Sequence, residues 1–139
     1  MIVLDTNVIS ELVRPSPNPV VRQSLDRQSP EQLYLATPVL AELLLGLYLL
    51  PIGKRQRELQ IAVISVADTY FADRILTFDA IAAIRYSAIM ARGRQAGRPI
   101  AIMDAQIAAI ALAAGASVAT RDIVPFTAAL VPTINPWQT

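Results

Sequence analysis

The chain contains no histidine, no cysteine and a single lysine, Lys54. Without histidine, a Ser-His-Asp triad and a paired-histidine ribonuclease mechanism are both excluded. Without cysteine there is no thiolate nucleophile, no disulfide and no structural zinc of the usual kind. Acid–base chemistry is left to carboxylates, tyrosines, Lys54 or metal-bound water, which favours Mg²⁺- or Mn²⁺-dependent chemistry. A membrane-length apolar run is also lacking: the longest, around Val39 to Ile52, is broken by Glu42, Gly46 and Pro51. Met1 to Asp5 carry no basic leader region, so no signal peptide and a cytoplasmic location are expected. No linker, repeat or low-complexity tract divides the 139 residues, which suit one domain spanning 1–139.

What is present is apolar. Hydrophobic residues make up 54% of the chain, above the usual share, so either the core is large or a partner covers an apolar face. The helices expected around Gln56 to Val66 and Val20 to Leu25 are the candidate faces. The net charge of +1 does not itself advertise nucleic acid. The basic residues are nevertheless grouped, as Lys54, Arg55 and Arg57, and as Arg85, Arg92, Arg94 and Arg98.

Strand and helix signals alternate along the chain. Ile2 to Leu4 reads as a buried strand, followed by a short helix capped by Thr6 or Asn7 and stopped by Pro15. Asn18-Pro19 opens a helix to about Gln28. Leu33 to Ala36 is a second strand, and Thr37-Pro38 opens an almost wholly apolar helix to Leu50, expected to be central. A more polar helix follows from Gly53 to about Asp68. A strand is expected over Leu76 to Phe78, then a long helix capped by Asp79 and ending near Gly97. A helix over Ile102 to Ala114 ends at Gly115. Ser117 to Thr120 is a strand, Pro125 begins a short helix, and Thr133-Ile134 is a last strand. Such alternation predicts an α/β fold with a mostly parallel, short-stranded sheet flanked by helices on both faces.

Four acids, Asp5, Glu42, Asp104 and Asp122, lie within apolar segments of this map. Asp5 and Asp122 fall at or just past the carboxyl ends of strands, where open α/β sheets bind ligands. Glu42 and Asp104 fall in early turns of helices, which favour negative charge. All four can therefore reach one rim. Singly, each has an ordinary explanation: Asp5 as a turn residue, Asp104 as a first-turn acid, Asp122 as a partner of Arg121. Glu42 resists this, because its neighbours are Ala41, Leu43 and Leu45. Jointly, unpaired carboxylates at one sheet edge form an all-oxygen site for a hard divalent cation.

The segments Ile2-Val3-Leu4-Asp5-Thr6-Asn7-Val8-Ile9-Ser10-Glu11, Val39-Leu40-Ala41-Glu42-Leu43, Asp104-Ala105-Gln106-Ile107-Ala108-Ala109 and Val118-Ala119-Thr120-Arg121-Asp122 resemble the PIN domain. More narrowly, with Arg74 to Asp79 and Asn135-Pro136-Trp137, the chain resembles the VapC and FitB-type toxins of bacterial toxin–antitoxin pairs. The similarity runs over essentially the whole chain, in order.

The resemblance implies a PIN-like three-layer fold and a metal-dependent endoribonuclease that hydrolyses RNA phosphodiester bonds with Mg²⁺ or Mn²⁺. It places Asp5, Glu42, Asp104 and Asp122 on the acidic quartet, which is both catalytic and metal-holding. Asp5 and Asp104 are assigned as direct ligands, with Glu42 and Asp122 binding through water or orienting the attacking water. Thr6, Asn7 and Thr120 fall on supporting polar positions. Arg85, Arg92, Arg94 and Arg98, with Arg94 and Arg98 foremost, are the candidate RNA-backbone contacts, the alternative being a solvated helix face. Arg121 is a candidate for a phosphate or an antitoxin carboxylate, and Tyr34, Tyr48 and Trp137 are assigned to core or interface. The implied partners are an RNA substrate, a cognate antitoxin that blocks the acids, and a second copy in a homodimer; DNA is met only through the antitoxin. One departure stands out: Pro125 precedes Phe126 where the family often has an acidic residue or glycine.

Other classes fit less well. A phosphoacceptor receiver domain needs a lysine at a late strand end, and Lys54 is far from any. A haloacid-type phosphatase needs a second aspartate two residues after the first, where Asn7 stands. A non-catalytic binding module would not need the four acids.

Overall fold

The computed structural model of the chain describes residues 1–138. Its centre is β1 (Ile2–Leu4), in which every residue is buried. An apolar run with no alternation is what a strand covered on both faces requires. β1 pairs in parallel with β2 (Leu33–Ala36) on one side and β4 (Ser117–Ala119) on the other. β3 (Ile75–Leu76) adds beyond β2, and β5 (Thr133–Ile134) beyond β4, both parallel. The order β3-β2-β1-β4-β5 reverses direction at β1, so the crevice between the ends of β1 and β4 is the topological switch point.

Helices cover the sheet: α1 (Thr6–Leu12), α2 (Pro19–Asp26), α3 (Thr37–Tyr48), α4 (Lys54–Ser65), α5 (Ala80–Gln95), α6 (Ile102–Ala114) and α7 (Val124–Ala128). The expected elements are all present, with ends shifted by a few residues. Asn18 caps α2 by accepting from Val20 N, Asp79 caps α5 by accepting from Ala82 N, and Gly115 ends α6 at φ +66°.

Three expectations are corrected. The cap of α1 is Asp5, not Thr6 or Asn7. Thr37 does not cap α3; Ala36 holds that position without a side-chain bond. The apolar α3 is not central either: Val39 is its one buried residue, while Leu45, Tyr48 and Leu49 face solvent. The central helix is α6, which buries Ala105 and the run from Ile107 to Ala111. Its alanines let α5 and the sheet approach closely, which larger residues would prevent. The apolar face of α2 is likewise turned inward, since Val21 and Leu25 are buried, although Val20 is exposed.

α4 widens at its end into a π turn, Val66–Tyr70, closed by Phe71 N on Val66 O at 3.1 Å. Arg74 fastens this turn to the sheet. Its guanidinium donates to the carbonyls of Tyr70, Pro30 and Leu33, so it is a structural clamp rather than a free cation.

Candidate metal centre and nucleic-acid interface

Asp5 follows directly from β1 and is positioned by three elements at once. Its backbone N–H donates to Ala119 O of β4 at 3.0 Å, and its carbonyl accepts from Val8 and Ile9 in α1. Its carboxylate accepts from Thr6 N at 2.7 Å on Oδ1. On Oδ2 it accepts from the Thr120 hydroxyl at 2.7 Å and from Asn7 Nδ2 at 3.4 Å. Asp5 is buried, and burial raises its pKa; the bonds from Thr120 and Thr6 oppose this, and the charges of Glu42 and Asp122 add to it.

Thr120 sits just past the end of β4, wholly buried, because its N–H bonds Ile134 O of β5 at 2.9 Å. Its hydroxyl donates to Asp5 and accepts from Asp122 N at 3.1 Å, tying the two acids' segments together. Asn7 accepts from Arg121 N at 3.2 Å. Thr6 donates its hydroxyl to Glu42 Oε2 at 2.6 Å, holding α3 to α1 at the rim. The polar positions flanking the acids are thus the scaffold that orients them.

Asp104, in the first turn of α6, is half-buried. Burial raises its pKa first, then the charges of Asp5, Asp122 and Glu42. The fold therefore brings all four acids into one electrostatic unit. Their exposure is graded, from buried Asp5 through half-buried Asp104 to exposed Glu42 and Asp122. For Glu42 this corrects the sequence argument: of its apolar neighbours Ala41 and Leu45 are exposed, and only Leu43 packs against the core. Among the described residues, the ion pairs are Arg14–Glu11, Arg22–Asp26 and Lys54–Glu58, so no Arg or Lys neutralises any of the four. In particular, Arg121 does not pair with Asp122. Its guanidinium lies over the Trp137 ring, 5.1 Å from the centroid, and its carbonyl accepts from Asn135 Nδ2 at 3.5 Å.

The donor set suits a hard divalent cation: all carboxylate oxygen, mutually repelling and without a cationic partner. As the side chains stand, no three acids among the described residues converge around a single ion position. Glu42 is engaged by the Thr6 hydroxyl, and Asp5 by Thr6 N and the Thr120 hydroxyl.

Two concavities open from the acids. One, of about 430 Å³, runs from Thr6 and Glu42 along α1, α3 and α4, past Leu43, Leu47, Arg55 and Leu59. The other, of about 670 Å³, opens beside Asp104 and Asp122 and has Arg98 in its lining. Arg94, in the last turn of α5, is exposed and lies outside that lining. Trp137, assigned to core or interface from sequence, is half-buried against the core but also forms the platform under Arg121. The run Asn135-Pro136-Trp137 carried that signal without its purpose.

Fold and site define a class: a parallel α/β protein with four acids, none paired with a cation, around the switch point of its sheet. The model of the family described as PIN domain matches residues 2–128. The chain belongs to the PIN-domain family, of the VapC and FitB type. Over 138 residues, and 99% of both chains, it is 48% identical to the plasmid stability protein StbB of Pseudomonas syringae pv. tomato. Over the same length and shares it is 44% identical to the VapC ribonuclease Y4jK of Sinorhizobium fredii. It is similar to the crystal structure of FitAcB from Neisseria gonorrhoeae, with a TM-score of 0.93 and 43% identity over 100% of both chains.

Proposed function

We propose that the chain is a metal-dependent endoribonuclease acting as the toxin of a type II toxin–antitoxin pair, a single domain at work in the cytoplasm. The observation that carries this reading is the group of four acids at the switch point with no cation to neutralise them. Such a cluster is costly as it stands and is relieved by an ion. The full-length similarity to a protein named as a VapC ribonuclease supports the nuclease half.

In this reading Asp5, Asp104, Glu42 and Asp122 hold Mg²⁺ or Mn²⁺, with Asp5 and Asp104 as direct ligands. The exposed Glu42 and Asp122 turn inward to complete the set. The ion, when bound, lowers the pKa of a water to make the nucleophile and neutralises charge on the phosphate. The protein's own part is to orient and hold. Thr120, Thr6 and Asn7 fix the Asp5 carboxylate, and the raised pKa of Asp5 and Asp104 makes protons compete with the ion at low pH. Arg98 and Arg121 border the site and contact the RNA backbone, with Arg94 further out.

The antitoxin lies along the groove of α1, α3 and α4, where a bound tail ends at Thr6 and Glu42 and blocks the acids. The toxin works as a homodimer and reaches DNA only through the antitoxin. The substrate is single-stranded or looped RNA, since a phosphate inside a regular duplex is not reached from a shallow rim. The deciding experiment is cleavage of an RNA carrying an exposed loop, with Mg²⁺ or Mn²⁺ and with EDTA. Cleavage with metal and none with EDTA is expected; undiminished cleavage after verified metal removal sinks the mechanism.

A further inference from the structure

We propose that the cavity beside Asp104 and Asp122 is a nucleotide subsite that receives one unstacked base of the RNA, next to the bond that is cut. This rests on the ribonuclease reading and adds where a base is held.

The cavity is built from two segments that meet at the acids: Arg98 to Ala101 before α6, and Asp122 to Ala128 through α7. Its walls are aliphatic, from Ile100, Ile123, Val124 and Pro125. Ile123 and Val124 are 38% and 72% exposed, so the core does not account for them. Apolar side chains displayed at the lip of a carboxylate pocket suit a ligand with an apolar face joined to a group that engages the acids through a cation. A nucleotide has that form: a base with a flat apolar face, attached through its sugar to a phosphate. The departure at Pro125 belongs here, because proline stiffens the wall at the first turn of α7.

Arg98 fixes the choice of occupant. It makes none of the ion pairs found among the described residues, and its side chain lines the cavity. Its backbone is held by a tight turn: Gly97 has φ +69°, and Arg98 N donates to Gly93 O at 2.8 Å. A Cβ on Gly93 would lie 2.9 Å from Arg98 O, so the turn closes this tightly only around glycine. The sequence thus commits two glycines to setting one arginine at the mouth of the cavity. A guanidinium there attracts a phosphate. The walls offer apolar contact and only the Thr127 hydroxyl as a side-chain hydrogen-bonding group apart from the charged ones, so the subsite registers the presence of a base more than its identity.

The test uses an RNA with one mapped cleavage site, intact or with an abasic nucleotide on either side of the cut. Burying one apolar face of a base against aliphatic walls contributes roughly tenfold in affinity. The parent is therefore expected to lose about tenfold in kcat/KM on one of the two abasic RNAs. Val124→Trp and Ala101→Trp fill the cavity from exposed positions, and thermal melting checks that both fold. Each is expected to lose a similar factor on intact RNA and nothing further on the abasic one. A 2-aminopurine at the sensitive position should brighten on binding to the parent, as the base unstacks, and not with the filled variants. Equal parent rates on intact and abasic RNA overturn the subsite and leave the ribonuclease reading standing. So does an equal loss by the filled variants on both RNAs. Filled variants that cleave normally but escape inhibition by the antitoxin assign the cavity to that protein instead, and overturn the proposal. No cleavage of any RNA by the parent with either metal overturns both readings.

Discussion

Asp5 performs two tasks that conflict electrostatically. It caps α1, which favours a charged carboxylate, and it is buried among other acids, which does not. Burial wins, and both Asp5 and Asp104 lie above the ordinary value of 3.8. The metal-free native chain therefore keeps protons that the unfolded chain has already lost. The stability these two groups contribute is full below that ordinary value and declines as pH rises through the raised ones. Asp5→Asn and Asp104→Asn should flatten this decline, and each should melt no lower than the parent at neutral pH in EDTA while abolishing cleavage. Melts from acid to neutral pH check it; a variant that unfolds marks its acid as a structural partner. Thr120→Val is the complementary change, since it keeps the shape and removes the hydroxyl between Asp5 and Asp122 N. It should cost about 1–3 kcal/mol in urea unfolding, as expected for buried polar groups left unpaired. It should also push the Asp5 pKa further up, so that cleavage rises to its plateau at higher pH. The acids were legible in the sequence because each interrupts an apolar run. Their graded exposure was not, because an apolar neighbour in the chain need not be a buried one: Ala41 and Leu45, close to Glu42 in the chain, are both exposed.

At the scale of elements, punctuation residues were the reliable text. Asn18-Pro19, Asp79 and Gly115 end or begin helices by local hydrogen bonds and φ alone, and each does so where expected. The positions of α3 and α6 in the layers were not readable, because both are apolar on every side. What separates them is size: the alanines of α6 fit between α5 and the sheet, whereas in α3 Leu45 and Tyr48 stay at the surface and Leu40 and Leu43 are only partly buried against the core. The π turn after α4 also carried no local signal, since Arg74 sets it from beyond the helix. The difference between glycines gives a prediction. Gly93→Ala forces a Cβ against Arg98 O, a backbone atom that cannot swing away, and should cost roughly 1–3 kcal/mol. Gly46→Ala meets nothing within 4 Å in the middle of α3 and should stabilise by up to about 1 kcal/mol. Urea titrations of the two variants check the contrast; similar effects from both would mean that the close α5–α6 turn is not tight in solution.

For the whole molecule, the question is where the apolar excess goes. The core accounts for the strands, α6 and the inner faces of α1 and α2. It leaves Leu45, Tyr48 and Leu49 on α3, Ile52 after it, and Ile61 and Ile64 on α4 facing water, with Ile52 92% exposed. α3 and α4 are held together where the Gln56 side chain donates to the carbonyls of Leu47 and Leu50, so these residues ride on one braced pair of helices. A stable protein interface needs about 800 Å² from each partner, centred on large apolar side chains, and this pair supplies such side chains. The face begins on the helix that carries Glu42, with Leu45 one turn further along α3, so whatever covers it is also within reach of the acids. The chain is therefore expected to self-associate at micromolar concentration, or to do so with its genomic neighbour's product. Leu49→Glu or Ile61→Glu should lower the mass measured by light scattering without lowering the melting temperature of the isolated chain, because neither side chain supports the core. A parent that stays monomeric both alone and with that neighbour would show that the α3–α4 face has no protein partner, and would remove the antitoxin from the functional reading while leaving the acidic site to be judged by its own chemistry.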